Sequence, residues 1–199
     1  MTASVATVVR RLRTRHRLSK VRSWALRYAV NGWPVIPLRE WEYGERGLRG
    51  GAVVSADGLQ PTTDAYVVAG WWSRLPYAVG LATGDVLDVI DAPAAVGAIA
   101  HRWLLLSTAT AISSGGRWHF VVAPGIELPV ALTCTGVVRH GVQECVAVPP
   151  SRTSHGDAYW LVSPTVVKWR PANASMVHQA LLYAVAGMLP PPLGDVIWP

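Results

Sequence analysis

Apolar and polar positions along the chain switch repeatedly between a helical and an extended period. Trp24, Leu26 and Tyr28 give a loose helical pattern over Ser23 to Val30, and Asn31-Gly32 is a good helix stop. Trp33 to Leu38 reads as a short strand whose Pro34 and Pro37 suit a sheet edge or a strand end. Arg39 to Pro61 is a polar, Gly-rich loop long enough to be functional or mobile. Thr62-Thr63-Asp64 then caps a helix to Arg74, with Val67, Val68, Trp71 and Trp72 as its apolar stripe.

Val79–Ala82 and Val86–Ile90 read as strands joined through a Thr83-Gly84 turn, and Pro93 opens an alanine-rich helix, Ala94 to Leu106. Further strands are expected at Thr108–Ile112, Trp118–Val122, Val137–Arg139, Cys145–Val148 and Ala158–Val162, with a closing helix from Met176 to Met188. This mixture lacks regular βαβ alternation. It argues for an α+β domain with a mixed or antiparallel sheet flanked by helices.

Composition narrows the class. With 199 residues, 51% of them hydrophobic, the chain has material for one domain with a real core. No apolar run reaches the roughly 20 residues of a membrane span, and the N-terminus lacks the apolar stretch of a secretory signal. Cys134 and Cys145 make neither a disulfide framework nor a zinc site; both read as core residues of a reduced, cytoplasmic protein.

The net charge of +6 is concentrated at one end. Arg10, Arg11, Arg13, Arg15, Arg17, Lys20 and Arg22 precede the first acidic residue, Glu40. Residues 1–22 therefore read as a basic arm and residues 23–199 as the domain. Such an arm is a nucleic-acid contact, an organelle transit segment or a solvated helix face.

Candidate chemistry lies in two segments. Asp85, Asp88 and Asp91 punctuate the Val86–Ile90 strand, and Gly115-Gly116 turns into a strand carrying Arg117 and His119. Carboxylates hold divalent metal and an imidazole can touch a phosphate, which suggests nucleotidyl transfer. Asp88 and Asp91 are the candidate metal ligands and, with His119, the candidate catalytic residues. Positions i and i+3 of a straight strand face opposite ways, so the two carboxylates converge only past a strand end or through a bulge. Asp91 capping the Pro93 helix is the competing reading. Arg117 and His119 share a face and could meet a phosphate together. Ser151, Arg152 and His155 form a second polar turn that would hold a nucleotide phosphate or be an ordinary surface loop.

Four segments in order resemble the primase-polymerase domain of the archaeo-eukaryotic primase superfamily, the bifunctional DNA primase/polymerase type. They are Ala25 to Leu38, Thr62 to Gly84, Gly115-Gly116-Arg117-Trp118-His119-Phe120, and Val146-Ala147-Val148-Pro149-Pro150-Ser151. The resemblance implies template-directed nucleotide addition on Mg²⁺ or Mn²⁺, with nucleoside triphosphates, single-stranded or template-primer DNA, and a helicase or other replication protein as partners. It implies that an Asp-x-Asp pair and a later Asp bind the metals and that His119 contacts the triphosphate. Only part of that set is present. Pro93 stands at or near the place of the second aspartate, and the place of the third falls near Val138, with Glu144 as a candidate substitute. Two functions follow as expectations: a primase/polymerase of replication, impaired or not, and a catalytically inactive module of the same fold that binds nucleic acid or nucleotide.

Overall fold

The computed structural model describes residues 5–38, 59–73, 77–113, 115–153 and 156–188. In chain order the elements are α1 (Val5–Val30), β1 (Val35–Leu38), α2 (Ala65–Trp71), β2 (Ala78–Ala82), β3 (Asp88–Ala92), α3 (Ala94–Leu104), β4 (Thr110–Ile112), β5 (Trp118–Val122), α4 (Val130–Thr133), β6 (Val138–His140), β7 (Cys145–Val148), β8 (Arg152–Thr153), β9 (Gly156–Asp157), β10 (Tyr159–Val162) and α5 (Ala174–Val185). The protein is α+β. Most of the loop expected over 39–61, together with His155, lies outside the described residues.

Strands β10-β4-β5-β3-β6 form a five-stranded sheet, and β1-β2-β7 a three-stranded one. Every pairing within them is antiparallel. β1 is an edge strand, which tolerates Pro37 because its unpaired side needs no ladder hydrogen bond. The period-2 alternation of β3 and β5 splits the apolar interior in two. Ile90, Ala92, Phe120 and Val122 face α3 and α5, with Leu104, Val177 and Leu181. Val89 and Val121 face the other way, toward the three-stranded sheet and α1, with Val21, Tyr28, Leu81 and Val146. The larger sheet is thus covered on both sides.

Local chemistry explains most of the element boundaries. The Asp64 carboxylate accepts from the Tyr66 and Val67 amides at 2.8 and 3.2 Å and starts α2. Asn173 does the same for α5, accepting from Ser175 and Met176, so this helix begins two residues earlier than its apolar pattern suggests. Gly97 lets α3 lie directly on β5: a Cβ there would sit 2.4 Å from that of Trp118. Strand β3 begins at Asp88 rather than Val86, because the Gly84 amide closes a turn on the Leu87 carbonyl at 2.9 Å. Gly84 has φ +112°, and a Cβ on it would meet the Val142 Cα at 2.5 Å, so only glycine fits this approach.

α1 runs unbroken across position 22, and Val21 is already core. The arginines of the basic arm, Arg10, Arg11, Arg13, Arg15 and Arg17, therefore belong to the same helix that packs against the domain. Of the two cysteines, Cys145 is buried as expected, whereas Cys134 is exposed at the end of α4.

Tyr28 ties α1 to the rest. Its hydroxyl donates to the Pro149 carbonyl and accepts from Trp160 Nε1 at 2.9 Å, and its ring stacks parallel to Trp33. Burial pushes the phenol far above its usual pKa and outweighs the opposing effect of the Trp160 hydrogen bond, so it stays a neutral donor. Tyr28→Phe leaves a carbonyl and an indole N–H buried without partners. We expect a loss of about 2 to 4 kcal/mol in folding stability by urea denaturation; a change within about 0.5 kcal/mol would mean that water replaces the hydroxyl.

Candidate functional site

The hydrogen-bond register of β3 decides what its carboxylates can do. Pairing with β5 is continuous from Asp88↔Val122 to Ala92↔Trp118, with no bulge. Asp88 and Asp91 therefore point to opposite faces of the sheet, as alternation demands. Asp91 lies within the strand and not beyond its end.

Asp88 turns toward the α3/α5 side and is 1% exposed. Its Oδ2 accepts from Arg139 Nε at 2.9 Å and from the Gly125 amide at 3.2 Å. Arg139 also reaches Glu127 at 2.7 Å. Burial opposes the charge on Arg139, but hydrogen bonds and attraction from Asp88 and Glu127 prevail and hold its pKa above the ordinary value. The carboxylate is thus paired through Oδ2 alone, its Oδ1 being buried without a partner among the described residues.

Asp91 occupies the other face with both of its cross-strand neighbours defined: His119 on β5 and Val138 on β6. Arg117 Nε donates to Asp91 Oδ1 at 2.7 Å, while Nη2 donates to the Asp91 carbonyl at 3.3 Å and to the Gly136 carbonyl at 2.7 Å. His119 Nε2 lies 3.8 Å from Asp91 Oδ1. His140 Nε2 lies 3.7 Å from Asp91 Oδ2, and its Nδ1 is 2.8 Å from Glu144 Oε2. The cluster is thus Asp91, Arg117, His119, His140 and Glu144.

Asp91 does not cap α3; that helix starts at Ala94, with Pro93 at its N-cap and no side-chain cap hydrogen bond. Among the described residues, no group of three or more His, Cys, Asp or Glu is arranged to hold a metal ion. The structure therefore brings Asp91, Arg117 and His119 together and places Asp88 elsewhere.

The second polar turn is not part of this cluster. Ser151 is buried, and its Oγ accepts from the Val79 amide at 2.8 Å and lies 3.3 Å from the Val79 carbonyl, fastening the Pro149-Pro150 turn to β2. Arg152 pairs across β8 and β9 with Asp157 at 3.7 Å, both exposed. Sequence reasoning missed His140 and Arg139. The alternation of β6 indicates that they face opposite ways, but only the β3–β6 register indicates what each one meets.

The two imidazoles are driven apart. Burial lowers the His119 pKa to about 4; Asp91 pulls it back up, and His140 and Arg117 oppose protonation. His119 is neutral near pH 7. Its Nδ1 is buried without a partner among the described residues. Burial also acts against His140, but Asp91 and Glu144 more than compensate, and its pKa is raised.

The stability consequences have opposite signs. His140 contributes stability that is complete below its unfolded value of 6.5 and is lost as pH rises through its higher folded value. His119 costs stability as pH falls from 6.5 toward about 4, because only the unfolded chain takes up that proton readily. A histidine-selective NMR titration should find His140 charged and His119 neutral at pH 6. Glu144→Gln should move the His140 midpoint down and leave His119 the weaker base. Coincident midpoints near 6.5 would show that neither ring feels this cluster.

No curated protein and no solved structure matches the chain. The family model described as bifunctional DNA primase/polymerase, N-terminal, matches residues 25–175, which takes in both sheets, α2 to α4 and every residue of the Asp91 cluster. The chain belongs to the bifunctional DNA primase/polymerase family.

Proposed function

We propose that this protein is a non-catalytic member of its family, a module that binds nucleic-acid or nucleotide phosphates. The observation that supports this most is the separation of the two β3 carboxylates, each already held by its own arginine, Asp88 by Arg139 and Asp91 by Arg117. The family is typically metal-dependent. Nucleotidyl transfer on two metals needs carboxylates that share one face and bridge cations about 4 Å apart. Asp88 and Asp91 do not meet that requirement, and Pro93 and Val138, at or near the places expected for the other family aspartates, offer no oxygen side chain. The residues present do not fit a two-metal centre, so Mg²⁺ or Mn²⁺ has no role in this reading.

What is retained suits binding. Arg117 is 37% exposed beside His119, and α1 carries Arg10, Arg11, Arg13, Arg15 and Arg17 in a chain of net charge +6. Arginine donors and a basic helix attract phosphates without reading sequence. Among the described residues no helix is long and apolar enough to cross a membrane. The module would work in the cytoplasm on single-stranded or template-primer DNA, or on a nucleoside triphosphate, beside a helicase or another replication protein that supplies the chemistry.

The alternative is a primase/polymerase in which Asp88, Asp91 and His119 act together. Primer extension in Mg²⁺ and in Mn²⁺ separates the two. We expect no extension, together with single-stranded DNA binding whose log K falls linearly with log salt. Deleting residues 1–16 stops short of the buried Val21 and should flatten that line by roughly 0.7 for each phosphate that the shortened helix no longer neutralises. Extension that disappears in Asp91→Ala would establish the enzyme instead.

A further inference from the structure

The Arg117 guanidinium is held as a bound cation is held. Three oxygens converge on it: Asp91 Oδ1 and the Gly136 carbonyl at 2.7 Å, and the Asp91 carbonyl at 3.3 Å. A carboxylate with backbone carbonyls is the donor set of a hard cation. Arg117 spans from β3 to the residues just before β6, and Val138 stands on β6 directly opposite Asp91. Side chains so paired lie about 5 Å apart at Cβ, the spacing from which two carboxylates could share an ion. Here one partner is valine, so across this strand pair the Asp91 carboxylate has no second carboxylate beside it and faces the guanidinium of Arg117.

We infer that Arg117 has taken the place of the divalent cation at Asp91, so that this site takes up no metal and meets phosphate through a guanidinium fixed in the protein. Nε and Nη2 are engaged with β3 and Gly136, while Nη1 makes no hydrogen bond to the described residues. A planar, permanently charged group anchored along one edge presents its remaining donors in a set direction, which suits a phosphate oxygen. The clause about phosphate rests on the binding function proposed above; the clause about metal does not.

Two measurements on the full chain test this. Electron paramagnetic resonance of Mn²⁺ should detect no ion bound by the natural protein, and about one bound by Arg117→Met/Val138→Asp, which keeps the aliphatic stem and supplies the second carboxylate. Mn²⁺ bound by the natural protein and lost in Asp91→Asn overturns the inference, and so does a folded double variant that takes up none.

Calorimetry with dATP is the second. Affinity of the natural protein should be the same within about twofold in EDTA and in Mg²⁺. Arg117→Met should weaken it about tenfold in EDTA, the loss of one charge-assisted hydrogen bond, and Mn²⁺ should restore much of it only in Arg117→Met/Val138→Asp, where the second carboxylate is present. Binding that EDTA abolishes in the natural protein overturns the inference. Absence of dATP binding under both conditions removes nucleotide from the proposed function and leaves the Mn²⁺ measurement to decide the site. If the Met variant loses its near-ultraviolet circular dichroism, Arg117→Lys replaces it. That variant keeps the charge without the fork, and it should still exclude Mn²⁺ while binding dATP more weakly; Mn²⁺ uptake by it counts against the inference.

Discussion

The two-residue period of β3 governs this protein's chemistry. Asp88 and Asp91 are three positions apart on a strand whose register with β5 is unbroken, so one sheet separates their carboxylates. A buried carboxylate without a counter-charge is costly, and removing one partner of a buried pair costs about 3–5 kcal/mol. Each acid therefore has an arginine supplied from a neighbouring segment: Arg139 on β6 below the sheet, and Arg117 at the start of β5 above it. Two separate ion pairs result where a shared metal cluster would need both acids on one side.

The upper face owes its shape to contacts distant in sequence. Gly84 approaches the backbone at Val142 so closely that a side chain is excluded. Thr83 reinforces the contact, its hydroxyl bonding the Gly141 carbonyl at 2.6 Å and its amide the Glu144 carbonyl at 3.0 Å. These bonds hold the 141–144 turn against β2 and set Glu144 beside His140. The opposite pKa shifts of His119 and His140 follow from that placement: burial is the largest single influence on both rings, and only at His140 do two carboxylates together outweigh it. The fold thus sets protonation through backbone geometry as much as through residue type.

Much of the architecture was legible along the chain. Asp64 and the 65–71 helix, the prolines of an edge strand, the glycine turn before β5 and the α+β class all follow from local rules that local structure obeys. The opposite orientation of Asp88 and Asp91 was equally accessible, since alternation needs no tertiary information. What escaped was register. Strand β3 starts two residues late because of one amide–carbonyl turn, and His140 and Arg139 acquire meaning only when β6 is laid against β3. Ser151 misled for the same reason. A hydroxyl after two prolines reads as exposed and available, and its engagement with Val79, 72 positions away, leaves no local trace.

The spacing of the oxygens around Arg117 argues further that the site is built for this group. Magnesium requires its ligands at about 2.1 Å from a single point, in near-octahedral array. The Asp91 carboxylate and the Gly136 carbonyl here each stand 2.7 Å from different nitrogens of one guanidinium, so they are spread by the width of the fork as well. Contracting them around a small ion would draw the segment before β6 toward β3. That movement is opposed by the pairing of Val89, Ile90 and Asp91 with His140, Arg139 and Val138. Removing the arginine side chain leaves that scaffold in place. A metal would then need an additional oxygen projecting from the neighbouring strand, and position 138, directly across from Asp91, is where the backbone can provide one.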